Sequence, residues 1–349
     1  MKYYAGLDVS MKTTFICIVS QEKKVVFEQE VLTDPDEIYS SIRSTKLVIE
    51  NSAVESGSIS RWLVQEISKR GLSIVCVDAR KMSKVLSINI NKTDKNDARL
   101  IAEALRCDFY SKIEQKPQKY VEEKILIGAR QTLKHSSTQL KNTIRGHLKA
   151  FGIRLGSVTD LKFEGFVMKA IKDKAEIVVM SLKALLDTFK EINKQVDVLE
   201  KQLKNMAKED EDIQLLTTIP GIGLITAHTF KVHLGDPKRF KTSRSVGAYF
   251  GMTPTQYSSG ESHKQGRVSK CGSPVVRSLL NEAAFSILYS AKSWSRIKAW
   301  GQKIRKKKGH KKATMAIGRK LSTIMHRMLI TRKPFEYGTP KEKEVKVMQ

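Results

Sequence analysis

Nine apolar residues, Val178, Leu182, Leu185, Phe189, Ile192, Val196, Leu199, Leu203 and Met206, step alternately by four and by three through the segment 174–208. A strand would need a period of two, so a period of 3.5 held over this length is met only by a long helix with its seam against another helix. A second long helix is expected over 118–150, with a weaker stripe through Leu126, Leu133, Leu140, Ile144 and Leu148. Such a pair can fold as a hairpin within one chain or join two protomers. Strict heptads mark helix-to-helix seams rather than broad globular faces, which favours dimerisation. The expected organisation is therefore four parts: 1–112, coiled-coil linker or dimerisation helices over 113–210, a third domain over 211–335, and a tail over 336–349.

The first part alternates strands and helices. Tyr3-Tyr4-Ala5-Gly6-Leu7 runs apolar into Asp8, and Thr14 to Val19 follows a short polar turn, as in an antiparallel hairpin. Val25-Val26-Phe27 reads as a third strand, and Asp34-Pro35 opens a helix with Asp34 as its cap. Lys46-Leu47-Val48-Ile49 is a short apolar run ending on Glu50. Ser60 to Arg70 has helical spacing, Gly71 stops it, and Leu72 to Val77 is another strand. This succession predicts an α/β sheet domain, followed by mostly helical parts.

Charge separates the parts further. Residues 1–110 hold 16 basic and 15 acidic side chains, residues 111–230 hold 20 and 15, and residues 231–349 hold 27 and 6. Most of the net +27 thus lies in the last third, and points to a polyanion-binding module. Nucleic acid is the first candidate partner, an anionic membrane surface the second, and a solubilising basic tail the bland alternative. Four widely separated cysteines with no C-x-x-C pair exclude a disulfide framework or zinc cassette and suit reduced thiols. Without an apolar run of membrane-spanning length or a signal-like start, a cytoplasmic chain with no membrane partner is expected.

Four carboxylates stand out by position. Asp8 and Glu50 each end an apolar run, and Asp94 and Asp97 lie three apart before the helical Arg99 to Leu105, which puts both on one helix side. A carboxylate ending a buried strand is costly without a partner, and several converging ones call for a cation such as Mg²⁺. An Asp pair opening a helix also serves as a cap, and Asp78 is expected in a turn. In the basic third, Ile219-Pro220-Gly221-Ile222-Gly223 resembles a helix-hairpin-helix turn, in which Gly221 and Gly223 would bring backbone N–H groups to a phosphate. Further on, Tyr257-Ser258-Ser259-Gly260 precedes Lys264, Arg267 and Lys270, and Ser273-Pro274 opens a helix that carries Arg277. From the residues alone this serine segment suits either a nucleophile presented to a phosphate or an ordinary Ser-Ser-Gly loop.

The order Gly6-Leu7-Asp8-Val9-Ser10, Ile49-Glu50, Lys92-Thr93-Asp94-x-x-Asp97-Ala98, Pro-Gly-Ile-Gly and Gly-x-x-Pro-x-x-x-x-Ser-Gly resembles the DEDD-type insertion-sequence transposases related to the Piv DNA invertase. The resemblance runs from about Lys2 to Ile330. It implies a RuvC-like, RNase H-type fold for the first domain, with Asp8, Glu50, Asp94 and Asp97 as a tetrad for Mg²⁺, or Mn²⁺ in its place. It further implies a serine transposase domain whose nucleophile, matched to Pro254 and Gly260, falls on Ser259, with Ser258 adjacent. Some members are guided by a bridge RNA that pairs with target and donor DNA, so a structured guide RNA joins DNA among the implied partners. Recombination between two duplexes implies a homodimer or homotetramer. Lys264, Arg267, Lys270 and Arg277 are the nearest candidates for phosphate contacts. Two competing readings are a RuvC-like structure-specific nuclease, in which Ser259 is structural, and a catalytically inactive nucleic-acid-binding scaffold.

Overall fold

The computed structural model of the chain describes residues 1–87 and 93–338. It divides into two compact units, Met1–Gln115 and Lys116–Gln349, so the long helices group with the C-terminal part.

In the first unit the elements are β1 (Tyr3–Val9), β2 (Thr13–Ser20), β3 (Val25–Leu32), α1 (Pro35–Ser44), β4 (Ile49–Glu55), α2 (Ser60–Lys69), β5 (Ile74–Val77), α3 (Ala79–Leu86) and α4 (Asp94–Arg106). The five strands form one sheet in the order β3-β2-β1-β4-β5. β2 is antiparallel to both β1 and β3, and β4 is parallel to β1 and β5. This is the strand order of an RNase H-type sheet. Period-two alternation splits its side chains between two cores. Ala5, Leu7, Ile16, Ile18 and Val54 pack on Ile38, Ile42, Leu63 and Ile67 of α1 and α2. On the opposite face Tyr4, Ala53, Val75 and Val77 meet Ile101, Ala104 and Leu105 of α4. Asp34 caps α1 by accepting from the N–H groups of Asp36 and Glu37. Asp78, expected in a turn, caps α3 in the same way, accepting from Arg80 and Lys81. All four cysteines are free; burial first, and then Glu28, pushes the Cys17 thiol up to about 12, as befits a core residue.

The second unit comprises α5 (Gln118–Lys149), α6 (Asp160–Ile171), α7 (Glu176–Lys208), α8 (Glu211–Thr217), α9 (Leu224–Leu234), α10 (Ser245–Tyr249), β6 (Pro254–Ser259), β7 (Ser262–Val268), α11 (Pro274–Tyr289), α12 (Arg296–Lys308) and α13 (His310–Thr331). The heptad seam is covered inside the chain. α5 and α7 run antiparallel, tied by Arg130 to Glu200 at 2.6 Å and by Ser137 to Asn193 at 3.0 Å. Phe163, Val167 and Ile171 of α6 fill the far end against Ile144, Leu148, Leu182, Leu186 and Phe189. Intrachain pairing thus replaces the expected zipper between protomers as the cover for these residues.

A larger core gathers α8 to α13 around Leu216, Phe230, Phe250, Leu280, Ile317 and Leu321. At the α8–α9 junction Lys231 bonds both oxygens of Asp210, at 2.6 and 2.7 Å, and also reaches Asp212 at 3.0 Å. Burial alone would lower the Lys231 ammonium, but the two carboxylates outweigh it and raise it, so the cluster stays charged.

One contact fixes the first unit. A Cβ built on Gly6 would lie 2.1 Å from the Ala98 carbonyl oxygen and 2.5 Å from the Ala102 nitrogen, both backbone atoms of α4. Gly6→Ala is therefore expected to destabilise the unit by about 3 kcal/mol or more. Urea unfolding of the full chain measures this, and an unchanged midpoint would show that α4 does not lie on β1.

Candidate active site

Asp8 ends the run of β1 side chains that face α4, since Tyr4 and Gly6 precede it at alternate positions on that face. The last registered pair of β1 and β4 is Leu7 opposite Val54, so Asp8 and Glu55 follow it on neighbouring parallel strands. Adjacent strands lie about 4.8 Å apart and registered side chains share a face, which sets these two half-buried carboxylates side by side. Helix α4 runs back over the strand: Gly6 lies against Ala98 and Ala102, and Tyr4 packs in the cluster of Ile101 and Leu105 beyond them. Its first turn is thereby carried toward the Asp8 end. Thr93 caps that turn by accepting from the Asn96 N–H, and Asp94 and Asp97 lie within it. The positive helix N-terminus favours carboxylates there. Asp97 is 3% exposed, whereas Asp94 is exposed.

Glu50 is not brought to this end. It falls where the β1–β4 register slips between Tyr3–Ile49 and Tyr4–Asn51, as the bulged residue at the start of β4. Five residues separate it from Glu55, roughly 16 Å of strand. It is exposed, and its carboxylate accepts from Lys2 at 2.9 Å, an interaction that raises the lysine. The β4 carboxylate beside Asp8 is Glu55. It lies at the end of Ala53-Val54-Glu55, a carboxylate closing an apolar stretch as Asp8 does, with Ser56-Gly57 and then α2 following it. The polar Asn51 and Ser52 hid it by interrupting the apolar run, although Ser52 is fully buried.

As a donor set, Asp8, Glu55, Asp94 and Asp97 supply only hard oxygens, which suit Mg²⁺ or Mn²⁺ in kind. Among the described residues no three His, Cys, Asp or Glu side chains stand close enough to hold an ion as placed. The backbone nonetheless gathers the carboxylates at one end of the sheet.

In the second unit the serines lie on a two-stranded hairpin and not in an ordinary Ser-Ser-Gly loop. β6 and β7 pair antiparallel, with Ser258 opposite His263 and Ser259 opposite Ser262. Gly260 turns the corner at φ +53° and supplies the positive φ a two-residue loop requires. The Ser258 hydroxyl lies 3.1 Å from His263 Nδ1 and accepts from the Gln256 amide at 3.1 Å. Ser259 is exposed, and among the described residues its hydroxyl makes no hydrogen bond. Lys264, Arg267 and Lys270 are exposed on or just past β7. Arg277 is used internally: its Nη1 donates to the carbonyls of Phe250 and Gly272, at 3.1 and 2.6 Å, and braces the hairpin's base. Gly221 has a packing reason to be glycine, with φ +81° and a Cβ position 3.0 Å from the Ala283 carbonyl; Gly223 is the N-cap residue of α9.

Comparison with known proteins bears on both units. Residues 5–153 match the DEDD transposase family of the IS110 type, and residues 213–299 match the transposase family IS116/IS110/IS902. The transposase for insertion sequence element IS1111A of Coxiella burnetii is 24% identical over 339 residues, 95% of this chain and 91% of that one. The pilin gene-inverting protein of Moraxella bovis is 25% identical over 357 residues, 96% of this chain and 98% of its own. Among solved structures, Thermus thermophilus RuvC bound to a Holliday junction substrate matches 32% of this chain and all of its own, at 13% identity and a TM-score of 0.25. The chain carries DEDD transposase domains of the IS110/IS116 family and is a transposase, an enzyme of DNA cleavage and strand transfer. No helix among the described residues is long and apolar enough to cross a membrane.

The two glutamates give opposed expectations. Glu55→Gln should lower strand cleavage about 100-fold or more, whereas Glu50→Gln should leave it within about twofold, measured on labelled element-end DNA. The reverse result would return the ligand role to Glu50.

Proposed function

We propose that this insertion-sequence transposase cuts and rejoins target and donor DNA through a covalent link between Ser259 and a DNA phosphate. The exposed β6–β7 hairpin supports this reading most directly, because it holds the Ser259 hydroxyl beside the Gly260 turn, with no hydrogen bond to it among the described residues. In the first step Ser259 Oγ gives up its proton and attacks phosphorus, an Oγ–P bond forms, one P–O bond to a sugar breaks, and the leaving sugar oxygen takes up a proton in exchange for the one the serine lost. Attack by another strand's sugar hydroxyl reverses the exchange and releases the serine, so one phosphodiester is traded for another without an added energy source. Asp8, Glu55, Asp94 and Asp97 would hold Mg²⁺ or Mn²⁺, which when bound neutralises phosphate charge and stabilises the transition state. Lys264, Arg267 and Lys270, exposed beside the serine, would steer the phosphate backbone, with Gly221 and Gly223 as a second backbone contact. Arg277 positions the hairpin.

A structured guide RNA and a homodimeric or homotetrameric assembly complete the reading. The excess of 27 basic over 6 acidic residues in 231–349 supports a second polyanion beside DNA. RNA sequencing of material copurified from cells that carry the flanking element tests the guide.

One observation favours a second assignment within the same function. Ser258 and His263 stand in the nucleophile-and-base relation, at 3.1 Å. A nicked suicide substrate that traps the adduct separates the two. Ser259→Ala should abolish the adduct and Ser258→Ala should retain it. The opposite pattern, with His263→Ala slowing adduct formation about 100-fold, makes Ser258 the nucleophile. EDTA should stop the reaction, and Mg²⁺ or Mn²⁺ should restore it. Metal-dependent cutting with no adduct in the wild type would instead mean a nuclease.

A further inference from the structure

From Ala283 to Phe335 the sequence contains fifteen Lys and Arg and no Asp or Glu. Within that stretch three aromatic residues are exposed, Phe285, Tyr289 and Trp300, and the first two stand together. Phe285 and Tyr289, one helical turn apart on α11, are 49% and 44% exposed, with centroids 4.7 Å apart. His310, first residue of α13, lies edge-on to Phe285 at 5.7 Å and shares a 2.9 Å hydrogen bond with the Tyr289 hydroxyl. The Arg305 guanidinium sits 5.4 Å from the Tyr289 ring centre. The tight turn at Gly309, φ +80°, brings the end of α12 and the start of α13 to this corner. With them come Lys306 to Lys308 and Lys311-Lys312, none of which is engaged in an ion pair among the described residues.

Ordinary helix stability explains only part of this. Cations in the last turn of α12 suit its dipole, but Lys311 and Lys312 lie in the first turn of α13, where cations are disfavoured. Two exposed rings in mutual contact also make a larger apolar feature than the singly scattered exposed residues elsewhere on the chain. Rings fixed by neighbours, with cations beside Tyr289 that make no ion pair among the described residues and one carboxylate nearby, Glu282, a turn before Phe285 and accepting from Ser278, complement one ligand chemistry: flat bases joined by a phosphate chain. Paired bases hide their faces inside the duplex, so the ligand is unpaired.

We infer that Phe285 and Tyr289 form a stacking platform for an unpaired stretch of DNA, with Arg305 and the flanking lysines holding its phosphates. The inference rests on the reading of the chain as one that cuts and exchanges DNA strands, and adds a surface at which an opened strand is held.

Anisotropy of the full chain with labelled dT20 and with a 20-base-pair duplex, at one salt concentration, tests it. F285A/Y289A should weaken dT20 binding about tenfold or more and leave duplex binding within about twofold. F285L/Y289L, apolar but without rings, should be as weak, whereas F285Y and Y289F should bind like the wild type; these variants keep the core-facing side of α11 intact. Equal losses on dT20 and duplex, or full binding by F285L/Y289L, would overturn the platform. If rU20 alone shows the sensitivity to ring removal, the surface belongs to RNA and the assignment to DNA fails. Ser259 adduct formation is read separately: an adduct absent from the wild type sinks the serine mechanism, while ring-dependent dT20 binding still upholds the platform.

Discussion

The direct seating of α4 on β1 at Gly6 is the contact on which the carboxylate site depends. With hydrogen in place of a side chain, the helix backbone reaches the strand backbone, and Ala98 and Ala102 complete the interface. The consequence is positional. Asp97 directly precedes Ala98, so the depth of the Gly6 contact sets how far the first turn of α4 reaches down to the sheet. That turn supplies one carboxylate at 3% exposure, and the strand ends supply two more. A larger residue at position 6 would lift the helix, and the carboxylates would part by as much as the backbones did. Core packing and the spacing of these carboxylates are therefore one constraint in this unit.

The serine hairpin answers a different problem. Two isolated strands are at best marginally stable in water, and every residue from Gln256 to Arg267 is exposed. Its order comes from its base. A Cβ on Gly251 would lie 2.3 Å from the Cys271 nitrogen, and one on Gly272 would lie 2.4 Å from Phe250 Cα, so the incoming and outgoing segments cross at backbone contact. The Arg277 guanidinium joins the same two segments through their carbonyls. A narrow, braced stem with an exposed tip can enter a nucleic-acid groove that a folded core could not.

Much of the first unit was legible in the sequence because its strands are short apolar runs with clear stops. Asp34-Pro35, Gly71 and Ser273-Pro274 marked boundaries through caps and turns that depend on local chemistry alone. What escaped depended on pairing. The strand ending at Glu55 was misread because Ser52 is buried without being apolar, a fact set by neighbouring strands rather than by its own segment. Glu50 looked equivalent to Asp8 in one dimension, and the bulge that turns it out toward Lys2 is a property of the β1–β4 register. The hairpin escaped for the same reason, since Tyr257-Ser258-Ser259 carries little apolar alternation and its pairing is fixed at the base. The heptads announced a helix-to-helix seam, but a period is the same whether the facing helix belongs to this chain or another.

Carboxylates that are to bind a metal and lysines that are to grip phosphate make conflicting demands on one surface. A lysine beside a carboxylate pairs with it, as Lys2 does with Glu50, and such a carboxylate is a poorer ligand. A bare carboxylate beside a phosphate repels it. Separating the two along the chain relieves both conflicts. Residues 1–110 balance 16 basic against 15 acidic side chains, so their carboxylates stand in a nearly neutral background, while residues 231–349 carry 27 against 6. The net +27 is therefore the visible sum of two unequal parts, one nearly neutral around its carboxylates and one strongly basic.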